Sequence, residues 1–183
     1  MSVHYIIQHG APTLAGLKTG NLFPCAIEDR NAFFCTLREA NQVLLPRGLR
    51  LLPLRLESSR ALLYLFRPDC LSRDLSREEA QAILRREGYT DTDYHLCLRE
   101  LTRRLRSGEP FPHEIGLFLG YPPEDVQGFM EHHGRGSKCS GCWKVYGDAE
   151  AAQKRFEAYR ACTERYSRLS RMGATLEHLT VFS

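Results

Sequence analysis

Lysine is scarce in this chain: of its 25 basic residues only four are lysine, and the formal net charge over 183 residues is +3. A balance that small singles out neither nucleic acid nor an anionic membrane as a partner. No apolar run approaches the roughly 20 residues that a membrane-spanning helix needs. The opening "MSVHYIIQHG" has neither the basic flank nor the long apolar stretch of a secretory signal, so a cytoplasmic protein is expected. Internal repeats, low-complexity tracts and Pro/Gly/Ser-rich linkers are missing as well, which leaves a single domain over 1–183. Seven cysteines, an odd number at irregular spacings, read as reduced thiols and not as a disulfide framework. Catalytic signatures are equally sparse: there is no GxSxG elbow, no GxGxxG opening a helix, and no cysteine in a recognised protease context. Whether the protein is an enzyme stays open.

What is present describes a soluble α+β domain. With 43% hydrophobic and 26% charged residues there is enough apolar material for one core. "VHYII" at 3–7 fits a short strand or a first helical turn. From Glu28 to about Leu45, Phe33, Leu37, Ala40 and Leu44 recur at helical spacing, ended by "PRG". "LRLLPLRLES" and "RALLYLFRP" predict an antiparallel hairpin turning at Ser58 and Ser59, with Pro53 marking an edge or a bulge. Ser76 and Glu79 have capping-box spacing before a helix that stops near Gly88, and a second helix covers roughly 92–106. "WKVYGD" suggests a short strand. From Asp148, a residue suited to cap a helix, the row Ala152, Phe156, Tyr159, Thr163, Tyr166 and Leu169 predicts a long C-terminal helix that ends at Gly173. "TLEHLTVF" could add a last strand. The expected architecture is a small, mostly antiparallel sheet covered by helices.

Residues 114–130, "EIGLFLGYPPEDVQGFM", have helix-turn-helix spacing, with Gly116 small, Gly120 at the turn, and Ile115, Leu119, Val126 and Phe129 as apolar anchors. The expected pair spans about 112–132. Its surface argues against DNA, because 113–131 carries Glu114, Glu124, Asp125 and Glu131 and no lysine or arginine, whereas a recognition helix brings cations to phosphates. "HE" at 113–114 lacks the second histidine of a zinc-protease helix, since position 117 is Leu.

Three blocks, "TLAGLKTGNLF", "FPHEIGLFLGYPPEDVQGF" and "CSGCWKVYGD", resemble domain-of-unknown-function family 3793, a family of small bacterial proteins, and the likeness runs from about Pro12 to the end of the long helix. The resemblance implies no mechanism and carries over no catalytic residue. Similar proteins often have a cysteine just before the "APTLAG" block, where this chain has Gly10, so a thiol there is not essential here.

Candidate site residues therefore come from chemistry alone. Gly16, Lys18, Thr19, Gly20 and Asn21 form a glycine-punctuated loop with one charge and several donors, which suits a small anionic ligand. It is not a P-loop, because Gly10 is followed by five residues and Leu17 separates Gly16 from Lys18. The bland reading has Thr13 capping a short helix and Lys18 in solvent. Cys139 and Cys142 could act as a redox pair or, joined by His132 and His133, supply four donors for zinc or another transition metal. Arg99, Arg103 and Arg106 share a helical face that could meet an anion, although Glu100 offers an internal partner. The primary reading is a binding module for a small anionic ligand or a protein partner, with no nucleic acid and no membrane. Thiol or metal chemistry at Cys139 and Cys142 is the alternative, and helix-turn-helix DNA binding a disfavoured second one.

Overall fold

The computed structural model describes residues 1–108 and 110–182. The chain divides into two compact units, one comprising Met1–Asp69 with Tyr159–Ser183 and the other Cys70–Ala158.

In the first unit, "VHYII" opens helix α1 (Val3–Leu14). The Ser2 hydroxyl accepts from the Tyr5 amide (3.2 Å), and Ile6, Ile7, Ala11 and Leu14 fall on one buried face, which favours the helix over a strand. Strand β1 (Gly20–Ala26) follows, then α2 (Arg30–Leu44), whose Asp29 carboxylate accepts from the Ala32 amide (2.6 Å) and whose buried residues are the four expected. Strands β2 (Arg50–Leu56) and β3 (Arg60–Phe66) form the expected hairpin. The sheet order is β1-β3-β2, all antiparallel, so Pro53 does lie on an edge strand, and the register also shifts between Pro53 and Arg55. The core gathers Ile6, Leu14, Phe33, Leu44, Leu63 and Leu65 with Leu176 and Leu179 from the tail. That tail is not a strand. Its threonines hydrogen-bond locally, Thr180 Oγ1 to the Leu176 carbonyl (2.6 Å), and turns result.

The second unit takes in most of α3 (Pro68–Leu75), all of α4 (Glu78–Arg86), α5 (Tyr94–Arg106), α6 (Ile115–Phe118) and α7 (Pro123–His132), and a two-stranded hairpin of β4 (Cys139–Ser140) and β5 (Lys144–Val145). The capping box at Ser76 does not form. Ser76 Oγ donates back to the Arg73 carbonyl (2.8 Å) at the end of α3, and Arg77 takes the position before α4. Gly88 ends α4 as expected, with φ of 83°. Helix α8 (Ala149–Arg171) begins where the Asp148 carboxylate accepts from Ala151 (3.0 Å), and its Ala152 and Phe156 are buried. Among the described residues no helix is long and apolar enough to cross a membrane.

Candidate functional site

Helices α6 and α7 meet as the sequence suggests. Gly120 makes the turn at φ 75°, and a Cβ at Gly116 would stand 2.7 Å from Val126 Cγ2, so only glycine permits this approach. The first turn of α7 then departs from what a surface helix would do. Glu124 is exposed, but Asp125 is 3% exposed and faces inward as a buried acceptor. Its Oδ2 accepts from Trp143 Nε1 (2.7 Å), and its Oδ1 from the amides of Tyr146 (2.7 Å) and Gly147 (2.8 Å). One carboxylate thus fixes the β4–β5 hairpin against α7, through bonds stronger than neutral ones because the acceptor is charged.

A cleft of about 290 Å³ opens between this helix pair and the hairpin. Its walls are largely carbon. Tyr121 stacks on Trp143 with centroids 4.8 Å apart, Phe156 supports Trp143 edge-on from behind (4.5 Å), and His113 meets Phe129 edge-on (4.9 Å). Lys144 and Cys142 also line it. Lys144 Nζ donates to the Gly134 carbonyl (2.5 Å) beyond the end of α7, and Tyr121 Oη donates to the Cys142 carbonyl (3.3 Å). The arrangement is a preformed slot with aromatic faces, the kind of concavity that takes a flat or apolar small molecule.

The metal set expected from Cys139, Cys142, His132 and His133 is not assembled. Cys139 sits in β4 and Cys142 at the exposed hairpin turn. The His132 ring stacks on Tyr146 (5.6 Å), and His133 closes α7 at φ 49°. Among the described residues no three His, Cys, Asp or Glu side chains group as metal ligands. All seven cysteines are free thiols, and burial raises the pKa of Cys25 and Cys162 above the ordinary thiol value. Cys97 is pushed up to about 11, by burial first and then by Asp91 and Asp93.

The loop Gly16–Asn21 is placed by architecture. Thr13 does not cap a helix start but lies inside α1, fully buried, and donates to Asn21 Oδ1 (2.7 Å). Gly20 pairs with Phe66 in the sheet, the Thr19 carbonyl accepts from the Arg67 amide (2.9 Å), and Lys18 Nζ lies 5.9 Å from the Tyr159 ring centre. Behind the loop the sequence hid Arg67, which is 2% exposed. Its guanidinium donates to the carbonyls of Thr13 (2.8 Å), Leu14 and Val181 (both 2.9 Å), satisfying the C-terminal end of α1 and tying the tail to it.

The basic run on α5 is also partly engaged. Glu100 accepts from Arg103 (2.8 and 3.0 Å) and from Arg104 Nε (3.0 Å), and Arg104 reaches the buried Glu114 (3.3 Å), to which Tyr89 also donates (3.0 Å). Arg104 also donates to the Glu87 carbonyl. Arg103 above all holds the Glu100 carboxyl down, to about 2, while burial and the neighbouring Glu114 push the Tyr89 phenol far up.

The model of the family described as "Protein of unknown function (DUF3793)" matches residues 6–180. The chain belongs to DUF3793. No curated protein and no solved structure matches it. Within this DUF3793 chain, every residue lining the aromatic cleft falls inside two of the three blocks that resemble the family, 111–129 and 139–148. The third block builds the end of α1 and the start of β1.

Proposed function

We propose that this DUF3793 chain is a cytoplasmic binding module, and that its ligand is a small molecule with a flat, largely apolar body held in the aromatic cleft of the second unit. The observation that carries this reading is the preorganised wall: Asp125 holds Trp143 and the hairpin in place through three hydrogen bonds, and Tyr121 stacks against the indole. Walls fixed in advance need no ordering on binding, which favours affinity. The formal charges of Asp125 and Lys144 offset each other, so the cleft favours shape and carbon contact over phosphate. The anionic-ligand reading at Gly16, Lys18, Thr19, Gly20 and Asn21 draws less support, because Asn21 and the Thr19 carbonyl are already engaged within the fold. DNA binding draws none from α7, whose exposed first-turn side chain is Glu124.

The chain has one tryptophan, and it is Trp143. Its emission therefore reports directly on the cleft. A panel of flat heteroaromatic compounds, titrated against the intact chain, should include one that changes Trp143 emission saturably, and Phe129→Ala should weaken that compound roughly 10-fold, as loss of an aromatic contact of ~1.4 kcal/mol would. A panel that leaves the emission untouched up to millimolar concentration, or a Phe129→Ala variant binding like wild type, refutes the assignment.

A second reading, thiol chemistry, is favoured by the exposure of Cys142 on the cleft wall. The double variant Cys139→Ser with Cys142→Ser separates the two. A binding module keeps its ligand, whereas a thiol protein loses its function.

A further inference from the structure

A second pocket, of about 300 Å³, lies in the second unit between the loop that follows α4 and one face of α5. Its chemistry is the opposite of the aromatic cleft. Thr90 and Asp91 contribute from the loop and Arg99, Glu100 and Arg103 from α5, above the buried Tyr89 and Cys97.

Most of these polar groups are already satisfied. Glu100 and Arg103 neutralise each other at 2.8 and 3.0 Å, the Tyr89 hydroxyl is given to Glu114, and the Cys97 thiol is given to the Asp91 carbonyl (3.2 Å). Asp91 Oδ1 accepts from the Asp93 amide (2.8 Å). Three groups remain. Among the described residues the Arg99 guanidinium, the Thr90 hydroxyl and Asp91 Oδ2 meet no hydrogen-bond or ionic partner. The two unneutralised charges are of opposite sign and line one pocket.

We infer that this pocket binds a small zwitterion of the α-amino-acid type, its carboxylate taken by Arg99 with Thr90 and its ammonium by Asp91. The planar fork of an arginine matches a carboxylate through paired N–H donors, and a hydroxyl adds a third donor. A carboxylate oxygen facing the pocket is the corresponding acceptor for an ammonium. The charge of the lining sums to zero, Arg99 and Arg103 against Asp91 and Glu100. A phosphate dianion or a polyamine enters such a pocket against one of its charges, whereas a zwitterion adds no net charge and satisfies both. Because Arg99 and Asp91 are exposed before binding, solvent screens each contact and the affinity is modest. This inference does not depend on the occupant of the aromatic cleft.

The test is ligand-observed NMR on the full chain with each of the twenty standard L-amino acids, followed by calorimetric titration of any that binds, up to about 10 mM so that a Kd near 1 mM is measurable. At least one amino acid binds saturably. Its N-acetyl derivative and its amide, each lacking one of the two charges, bind at least ~10-fold more weakly, a loss of ~1.4 kcal/mol that is ordinary for a charged hydrogen bond. Arg99→Gln and Asp91→Asn each cause a similar loss while melting within a few degrees of wild type, because neither substitution removes a bond that the fold makes. The inference is overturned if none of the twenty binds, if the binder keeps its affinity after N-acetylation or amidation, if Arg99→Gln or Asp91→Asn binds it as well as wild type, or if inorganic phosphate binds more tightly than any amino acid.

Discussion

Removing the Asp125 carboxylate should unfasten the hairpin from α7, and the geometry sets how much each substitution costs. Three donors end on this residue: the Trp143 indole on Oδ2 and the amides of Tyr146 and Gly147 on Oδ1. In Asp125→Ala all three lose their acceptor. A buried unsatisfied donor costs ~1–3 kcal/mol. The relief of burying one carboxylate fewer, together with water entering from the cleft, offsets part of that, so a net loss of about 3–5 kcal/mol is expected. Asp125→Asn keeps one oxygen for the two amides but turns an NH₂ toward the indole N–H. One bond and the charge are lost, at a cost of about 1–3 kcal/mol. Urea denaturation followed by Trp143 emission measures both, since the only tryptophan lies beside the perturbed residue. Trp143→Phe, followed by circular dichroism, removes the donor that the asparagine opposes, so the second substitution should be cheaper in that background. If Asp125→Asn is as damaging as Asp125→Ala, or if the alanine variant loses under 1 kcal/mol, the hairpin is not held by this carboxylate.

Three further expectations rest on separate features. Glu100 ionises well below an ordinary glutamate, at about 2, so the stability it contributes is fully present above roughly pH 4.5 and is lost as pH falls toward 2. At full weight the shift is worth ~3 kcal/mol, and screening at a side chain 30% exposed reduces this to about 1–2 kcal/mol. Glu100→Gln should therefore destabilise at pH 7 by that amount and flatten the acid limb of the stability curve; parallel limbs in the two proteins would remove the basis for this. A Cβ at Gly128 would stand 2.4 Å from Tyr146 Cγ, so Gly128→Ala should cost ~1–2 kcal/mol even after the gain in helix propensity, and a stabilised variant in a melting scan would contradict the packing. Lys18→Ala should melt within a few degrees of wild type and leave cleft binding unchanged; loss of ligand in this variant would return the site to the first unit.

Much of the architecture was legible because it rests on period and punctuation. The four buried residues of α2, the hairpin at Ser58 and Ser59, the edge position of Pro53 and the face of α8 all follow from spacing that the fold preserves. Ser76, Thr13 and the "TLEHLTVF" tail were each assigned to one pattern where a different hydrogen bond forms: Ser76 and Thr180 donate back along their own segments, to Arg73 and Leu176, and Thr13 donates to Asn21. The residues that build the candidate site were mostly visible as blocks but not as roles. Asp125 reads as one more acid on an acidic helix, and only its bonds to residues about 20 positions later show it as a buried acceptor. The one available signal was its phase, adjacent to Val126 and four before Phe129 on the apolar side. Arg67 gave no signal beyond standing at the end of β3, since its partners Leu14 and Val181 are 53 and 114 residues away.

That contrast also separates framework from site in this chain. Arg67, Asp125 and Glu114 are buried charged residues, and each is committed to more than one partner within the fold. Removing any of them should be read first as a loss of stability, because an unsatisfied buried group costs more than the bond it made was worth. Arg99, Thr90 and the Cys142 thiol have the opposite profile: exposed, lining a concavity, and unneeded by the fold. Function in DUF3793 should therefore respond to substitutions that leave melting untouched. A scan pairing Asp125→Asn with Arg99→Gln makes the point testable: the first should lower the urea midpoint and disturb the cleft with it, the second should leave the midpoint alone and change only what the polar pocket binds.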